Sequence, residues 1–319
     1  MALLEVRNLK AYFATMSGDV KAVDDVSFDV EKGEATGLAG ESGCGKTTTA
    51  LSILRILPSN GRIIGGNVFF KGVDIVGLDE DAVREDIRWK EISIVFQGAM
   101  NAMNPVYKVG DQIVEGIKLH EPDVVDEDAW DRAGKLMELV GIEAARLDNY
   151  PHEFSGGMRQ RAMIAMALAC NPSLVIADEP STALDVIVAA QVLRLIRELK
   201  DKLNLGMMLI THDLSIIAEL CDRAAIMYAG KIAEYGDVVT IFKDALHPYT
   251  KGLISAFPDV TSEHHEMVSI PGLPPDLLNP PEGCRFHPRC QYAMDICKKE
   301  IPEYLEVKKG HFVACHLVS

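Results

Sequence analysis

One stretch near the N-terminus reads Gly40-Glu41-Ser42-Gly43-Cys44-Gly45-Lys46-Thr47, followed by Thr48. Its spacing is G-x-x-x-x-G-K-[ST], set between an expected strand and an expected helix. Glycines let successive backbone N–H groups curl around phosphate oxygens, and the helix N-terminus adds its partial positive charge. Lys46 would pair with β- and γ-phosphate oxygens, and the Thr47 hydroxyl would ligate Mg²⁺. The bland alternative is a glycine-rich turn with a chance lysine, which the flanking elements disfavour. Cys44 stands inside the loop, but the loop works through its backbone, so a redox role is not expected. By itself the loop specifies only a nucleoside triphosphate.

Further along, Ser173 to Pro180 places two adjacent carboxylates, Asp178 and Glu179, at the end of an apolar strand. Asp178 is placed to hold the Mg²⁺ shell, and Glu179 to orient and polarise an attacking water. An isolated Asp-Glu pair is commonly a solvated turn; a pair ending an apolar strand in a chain with a phosphate loop is not. Phe154-Ser155-Gly156-Gly157-Met158-Arg159-Gln160-Arg161 opens a helix with a small polar residue and two glycines. That makes a second anion-ready helix N-terminus in the same chain. His212, in Ile210-Thr211-His212-Asp213, follows another apolar strand, where a histidine is more often structural.

The elements that must position these residues follow from periodicity. Leu3 to Phe13 and Val20 to Val30 alternate as strands do, and Ala35 to Ala39 is a short apolar strand. Lys46 to Leu57 is expected to be a helix ending at Pro58, with further strands at Asn67 to Phe70 and Ile92 to Phe96. From Gln97 to Arg161 the pattern is helical and polar, as in Asp126 to Val140. A helix from Met158 to Ala169 precedes the buried strand Ser173 to Ala177. A helix from Ile187 to Leu203 leads to the strand Met207 to Ile210. Ala224 to Tyr228 and Lys231 to Tyr235, split by Ala229-Gly230, form a hairpin. Strands alternating with helices argue for an α/β domain with a mostly parallel core sheet. From Pro258 onward prolines, cysteines and histidines increase and periodicity fades, so a boundary is expected there.

Read together, Ser155-Gly156-Gly157-Met158-Arg159-Gln160-Arg161 and the Asp178-Glu179 strand resemble the signature and Walker B motifs of ABC ATPases. Phe154 stands where that family usually has Leu. The resemblance spans roughly residues 3 to 257 and implies a P-loop NTPase fold: a mixed sheet, an antiparallel β part and a helical subdomain at about 98–165. It implies that Gln97 is the Q-loop glutamine touching Mg²⁺ and the attacking water, that Asp185 belongs to the D-loop, and that His212 is the switch histidine contacting the γ-phosphate. It also implies an adenine-stacking aromatic, Phe13 by spacing with Tyr12 as the alternative. In that family two cassettes face each other, so Ser155, Gly156, Gly157 and Gln160 would close on ATP bound by a partner chain, identical or paralogous.

The chain has 319 residues, 48% hydrophobic and 25% charged, enough for one large domain and a smaller region. No segment reaches the ~18–20 apolar residues of a membrane span, and MALLEVRNLK has no apolar core of a secretory signal. The chain therefore reads as cytoplasmic, with any membrane role exerted through partners. Its 32 basic against 47 acidic residues leave −15, which disfavours duplex binding.

Cys44, Cys170 and Cys221 read as small packing residues. Cys284, Cys290, Cys297 and Cys315 cluster at the C-terminus. In a cytoplasmic chain a metal or cluster site is expected over disulfides, and His287, His311 or His316 could complete a zinc site. His247-Pro248-Tyr249-Thr250 and the segment from Ile270 to Cys290 are similar to the C-terminal region of dipeptide/oligopeptide importer ATPases. Some members of that group hold a four-iron–four-sulfur cluster there. The resemblance thus implies these four cysteines as cluster ligands, with zinc as the alternative, in a region of residues 258–319 following a cassette of 1–257. It further implies two membrane permeases, an extracytoplasmic solute-binding protein acting indirectly, and a peripheral place on the cytoplasmic face of the membrane. Peptides are the expected cargo, with oligosaccharides or nickel as alternatives. A non-transport ABC protein acting on nucleic acid or the ribosome is disfavoured, since there is one cassette and no extended heptad run.

Overall fold

The computed structural model describes residues 2–98, 102–256 and 270–318. Its strands are β1 (Leu4–Thr15), β2 (Gly18–Val30), β3 (Ala35–Ala39), β4 (Gly61–Phe70), β5 (Val73–Asp74), β6 (Ile92–Val95), β7 (Leu174–Asp178), β8 (Gly206–Thr211), β9 (Arg223–Tyr228), β10 (Lys231–Asp237), β11 (Leu305–Lys308) and β12 (His311–Val313). The helices are α1 (Lys46–Ile53), a single turn α2 (Glu80–Ala82), α3 (Val109–His120), α4 (Asp126–Leu139), α5 (Gly156–Ala167), α6 (Val186–Leu203), α7 (Leu214–Leu220), α8 (Val238–Lys243) and α9 (Pro248–Ser255). Two compact units result. The first comprises Met1–Glu31, Ala35–Gly77 and Leu209–Ser319; the second comprises Lys32–Glu34 and Leu78–Met208. No helix among the described residues is long and apolar enough to cross a membrane.

The first unit contains an antiparallel sheet in the order β2-β1-β4-β5. In β1 the buried residues are Leu4, Val6, Leu9 and Ala11, a pattern that skips a beat between 6 and 9. Asn8, at φ +48, supplies the extra residue, and pairing with β2 shifts register there. This β-bulge returns Leu9 to the core face. The Asn8 amide then donates to Asp25, itself at φ +70, at 2.9 Å.

In the same unit β3 pairs in parallel with β9, and β9 pairs antiparallel with β10. Ala229 (φ +46) and Gly230 (φ +84) form the two-residue turn between them, both left-handed as a type I′ hairpin requires. The two sheets are joined at Tyr235. Its hydroxyl donates to the Asp29 carbonyl (2.9 Å) and accepts from the Asp29 N–H (3.2 Å).

Two features depart from the pattern-based expectation. Helix α1 stops at Ile53, well before Pro58. Arg55 turns left-handed (φ +53), its N–H reaches Ser52 O (3.1 Å), and the Ile56 N–H reaches Leu51 O (2.9 Å). That is a Schellman closure with arginine where glycine is usual. The C-terminal region also carries regular structure: β12 pairs with β10, and β11 with β12. Three residues are too few to show a period, so only the burial of His311 and Val313 marks the strand. The boundary expected near Pro258 lies outside the described residues.

In the second unit β6 and β7 pair in parallel, and every residue of β7 is buried, as expected of an interior strand. Helix α5 packs on β6, and α3 and α4 pack on α5 and on each other. The Trp89 indole N–H donates to Met166 O at the end of α5 (2.8 Å). Helix α6 buries Val192, Leu193, Ile196 and Leu199, one face of an amphipathic helix.

Within the first unit, one fully buried carboxylate ties the C-terminal hairpin to the start of α9. Glu234 accepts from the N–H groups of Leu246 (2.8 Å) and His247 (3.0 Å), and pairs with His311 Nε2 (2.8 Å). Truncation to Glu234→Ala would leave three buried polar groups without that acceptor, each costing on the order of 1–3 kcal/mol. With partial relaxation, a loss of about 3 kcal/mol is expected. A clearly lowered urea midpoint for Glu234→Ala, larger than for Glu234→Gln, checks this.

Candidate nucleotide site

The phosphate loop of the first unit is shaped by its walls. Strand β3 is wholly buried and delivers the chain to Gly40. A Cβ at Gly40 would sit 2.1 Å from Met227 O, and one at Gly45 (φ +108) would sit 2.1 Å from Ala22 O. Only glycine fits either position. Ser42, Gly43 and Thr47 are exposed, so the loop's outer rim faces solvent. Lys46 opens α1 and is buried; its ammonium donates to Gly40 O (2.8 Å) and Glu41 O (3.0 Å). Thus the lysine bridges carbonyls on the loop, the place from which it can meet phosphate oxygens. Burial pushes the Cys44 thiol up, consistent with a packing role.

Glu41 was expected only as a loop position, yet it is the most tightly held residue there. Its N–H donates to the Tyr249 hydroxyl (3.0 Å), and its carboxylate takes both arms of Arg289 (2.6 and 2.9 Å). Neither Tyr249 nor Arg289 was singled out from sequence as a site residue; both stand in segments that carried only the likeness to the C-terminal region. Tyr249 is itself set by His247, whose Nδ1 accepts the Tyr249 N–H (3.0 Å) at the start of α9. Burial holds His247 neutral, its pKa down to about 3, which keeps that nitrogen an acceptor.

The two aromatic alternatives on β1 differ in commitment. The Tyr12 hydroxyl donates to Asp24 (2.9 Å), within an ion-paired group that includes Arg285 and Lys231. Phe13 carries no polar anchor; it is half-buried and lies against Gly61. His212, at the end of β8, is exposed, and Asp213 caps α7 through the Ser215 N–H (2.8 Å).

In the second unit β7 ends with buried Asp178 and then Glu179 at φ +47. Gln97 Nε2 donates to Glu179 Oε2 (2.8 Å), and the Thr182 hydroxyl donates to the same oxygen (2.9 Å). Gln97 and Glu179, 82 residues apart, are therefore brought into direct contact. The Ser155-Gly156-Gly157 segment starts α5 as expected. Ser155 caps it through the Met158 N–H (3.3 Å), Phe154 and Gln160 are buried, and the exposed end presents Ser155. Asp185 caps α6 through the Val188 N–H (3.0 Å). A Cβ at Gly157 would lie 2.5 Å from Val188 Cγ1, so the two helix starts pack closely.

The C-terminal cysteines form no disulfide. Burial pushes the Cys284 thiol up to about 11, and the nearby Cys297, Cys315 and Cys290 add to the rise. Cys290 and Cys315 are raised in the same way, by burial first and by neighbouring thiols after it. All four are thus within electrostatic range of one another. Among the described residues, however, no three His, Cys, Asp or Glu side chains are gathered closely enough to hold a metal ion. The histidines that could have completed a zinc site each turn a ring nitrogen to another oxygen: His287 to Cys284 O, His311 to Glu234 and His316 to Glu300 O.

Comparison with known proteins identifies the family. The family model described as "ABC transporter" matches residues 23–182, and that described as "Oligopeptide/dipeptide transporter, C-terminal region" matches residues 233–297. The chain is 46% identical over 317 residues to a probable peptide ABC transporter ATP-binding protein of Sinorhizobium fredii, covering 98% of this chain and 94% of that one. It is 45% identical to the oligopeptide transport ATP-binding protein OppD of Escherichia coli, covering 98% and 93% of the two chains. To the dipeptide transport ATP-binding protein DppD of Lactococcus lactis it is 45% identical, covering 99% and 91%. Among solved structures, the dimeric bacterial ABC transporter cassette MJ0796 shares the fold, with a TM-score of 0.66 at 23% identity over 74% of this chain and 98% of that chain. The chain belongs to the ABC transporter family, as an ATP-hydrolysing cassette carrying the C-terminal region of the oligopeptide/dipeptide transporters.

Proposed function

We propose that this chain powers the import of short peptides, docked through permease subunits on the cytoplasmic face of a membrane. The observation that carries the reading is the order of parts: a full set of cassette motifs followed by an oligopeptide/dipeptide-type region over residues 233–297. Relatives named for oligopeptide and dipeptide transport over nearly the whole chain support it. The cargo reading is tested by isolating the solute-binding protein that works with this cassette and screening its ligands. Short peptides are the expected outcome; selective binding of oligosaccharide or nickel overturns the peptide assignment.

In this reading Lys46 and the N–H groups of residues 43–48 hold the triphosphate, and Phe13 stacks on the adenine. Glu179 orients the attacking water, Gln97 fixes the Glu179 carboxylate, and His212 contacts the γ-phosphate. The Thr47 hydroxyl, Asp178 and Gln97 are oxygen donors suited to Mg²⁺, whose part is to neutralise phosphate charge. Ser155 and Gly157 act on nucleotide held by a second cassette. Support for that partner comes from Val186 and Ile187, 85% and 72% exposed immediately after Asp185 on the helix packed against Gly157. Two adjacent exposed aliphatic side chains beside the signature helix suit a face covered by another protein.

Glu179→Gln removes the base while keeping size and hydrogen-bonding capacity. ATP binding is expected within about threefold of wild type, while turnover falls by about 10²-fold or more, and the cassette pair stays associated in MgATP. Titration with ATP, a phosphate-release assay and size-exclusion chromatography read the three outcomes. Turnover like that of the wild type overturns the role given to Glu179.

We further propose that Cys284, Cys290, Cys297 and Cys315 ligate a four-iron–four-sulfur cluster, four thiolates being its usual ligand set. The mutual proximity of four buried or half-buried thiols supports this. Anaerobically purified protein is expected to be brown, with about four irons and four labile sulfides per chain. A colourless preparation without iron overturns the proposal, and stoichiometric zinc replaces it with the alternative.

A further inference from the structure

Glu41 is an acidic residue inside a loop whose task is to hold a polyanion. Left alone, its carboxylate would repel the phosphates and pull on the loop backbone. The structure answers both problems with one residue from far along the chain. Arg289 is 6% exposed and sets Nη1 on Glu41 Oε2 (2.6 Å) and Nη2 on Oε1 (2.9 Å), a two-pronged pairing. Its Nε donates to Pro271 O (2.8 Å), and its guanidinium lies 5.7 Å from the Tyr228 ring centre, so the arginine is itself fixed. The Tyr228 and Tyr249 rings are 4.6 Å apart and both pack on Phe286 (5.1 and 5.4 Å).

All three functional groups of Glu41 are then engaged. The N–H meets the Tyr249 hydroxyl, the carbonyl meets the Lys46 ammonium, and the carboxylate meets Arg289. The loop's rim, by contrast, has little support: a Cβ on Gly43 would meet no atom within 4 Å. The start of the loop is therefore held in part by Glu41, and Glu41 is held by the C-terminal region.

We propose that Arg289 is a positioning residue for nucleotide binding, acting through Glu41 to hold the phosphate loop in its binding-ready shape and to neutralise the loop's own carboxylate. It rests on the reading of residues 40–47 as the phosphate-binding loop. The C-terminal region would thus belong to the ATP site of its own chain. Arg289 sits on the turn His287–Arg289, directly before Cys290, so whatever orders that turn also sets the loop.

The test is a double-mutant cycle on the full-length chain, read by titration with the fluorescent analogue mant-ATP and by the KM and kcat of ATP hydrolysis. Arg289→Ala is expected to weaken mant-ATP and raise the KM by about tenfold, with kcat at saturating ATP within about twofold. Arg289→Lys, which keeps charge but loses the two-pronged geometry, should fall in between. In a Glu41→Gln background the effect of either Arg289 substitution should shrink to under about twofold, since the partner charge is gone. An equal loss in both backgrounds, or an unchanged affinity in Arg289→Ala, overturns the proposal. If Arg289→Ala yields no folded chain, the Arg289→Lys and Glu41→Gln pair completes the same cycle. Lys46→Ala separates the two readings. Retained mant-ATP affinity there removes the phosphate-loop assignment itself. Lost affinity there, with Arg289 variants silent, removes only the role of Arg289.

Discussion

The structure of the first unit is organised by the need to present backbone N–H groups to a triphosphate from a loop in which three of the eight residues 40–47 are glycine. Such a loop cannot hold its shape by packing, so its walls must hold it. The walls here are Ala22 on β2 and Met227 on β9, whose carbonyls lie where a Cβ on Gly45 or Gly40 would fall. The Gly230 N–H of the β9–β10 turn donates to Cys44 O (2.8 Å), adding a third support. The antiparallel sheet, the parallel pair β3–β9 and the hairpin thus converge on eight residues. Fixing donors before the ligand arrives lowers the reorganisation that binding would otherwise require.

The second unit meets its own demand by backbone strain. Glu179 is left-handed at φ +47, and so is Ala183 at φ +65. A non-glycine residue there costs on the order of 1 kcal/mol. In return the chain leaves β7 in a tight turn, closed by the Thr182 N–H to Glu179 O (3.1 Å), that turns the carboxylate toward Gln97 and Thr182. A carboxylate fixed by two donors on one oxygen has a defined orientation for the chemistry assigned to it. Close contact of Gly157 with Val188 ties the signature helix to the start of α6.

Much of this was legible in sequence because the governing signals are local. The phosphate loop, the buried strand before Asp178 and the helix start at Ser155 are each specified within about a turn of chain. What stayed hidden depends on distant pairing. The bulge at Asn8 is needed because β1 must match β2 and β4 at once, and neither constraint is visible in β1 alone. Helix α1 ends at a left-handed arginine because a hydrogen-bonded closure formed before the proline was reached. Strand β12 exists because β10 offers it an edge, an opportunity its three residues do not announce.

The same reasoning changes the standing of the C-terminal region. By composition it reads as an appendage, rich in proline and cysteine and poor in periodicity. Yet two of its arginines are directed inward. Arg285 pairs with Asp24 and donates to Ala229 O at the hairpin turn, while Arg289 pairs with Glu41 of the phosphate loop. Both arginines are buried, and a buried guanidinium is tolerable only with its partners in place. Removing the region would strand Asp24 and Glu41 beside the nucleotide loop as well as expose apolar surface. Arg285 and Arg289 also stand next to Cys284 and Cys290, so order among the thiols and order in the loop share one short segment. The region is therefore part of the cassette's own ATP-site scaffold, and its cysteines are set where they can influence it.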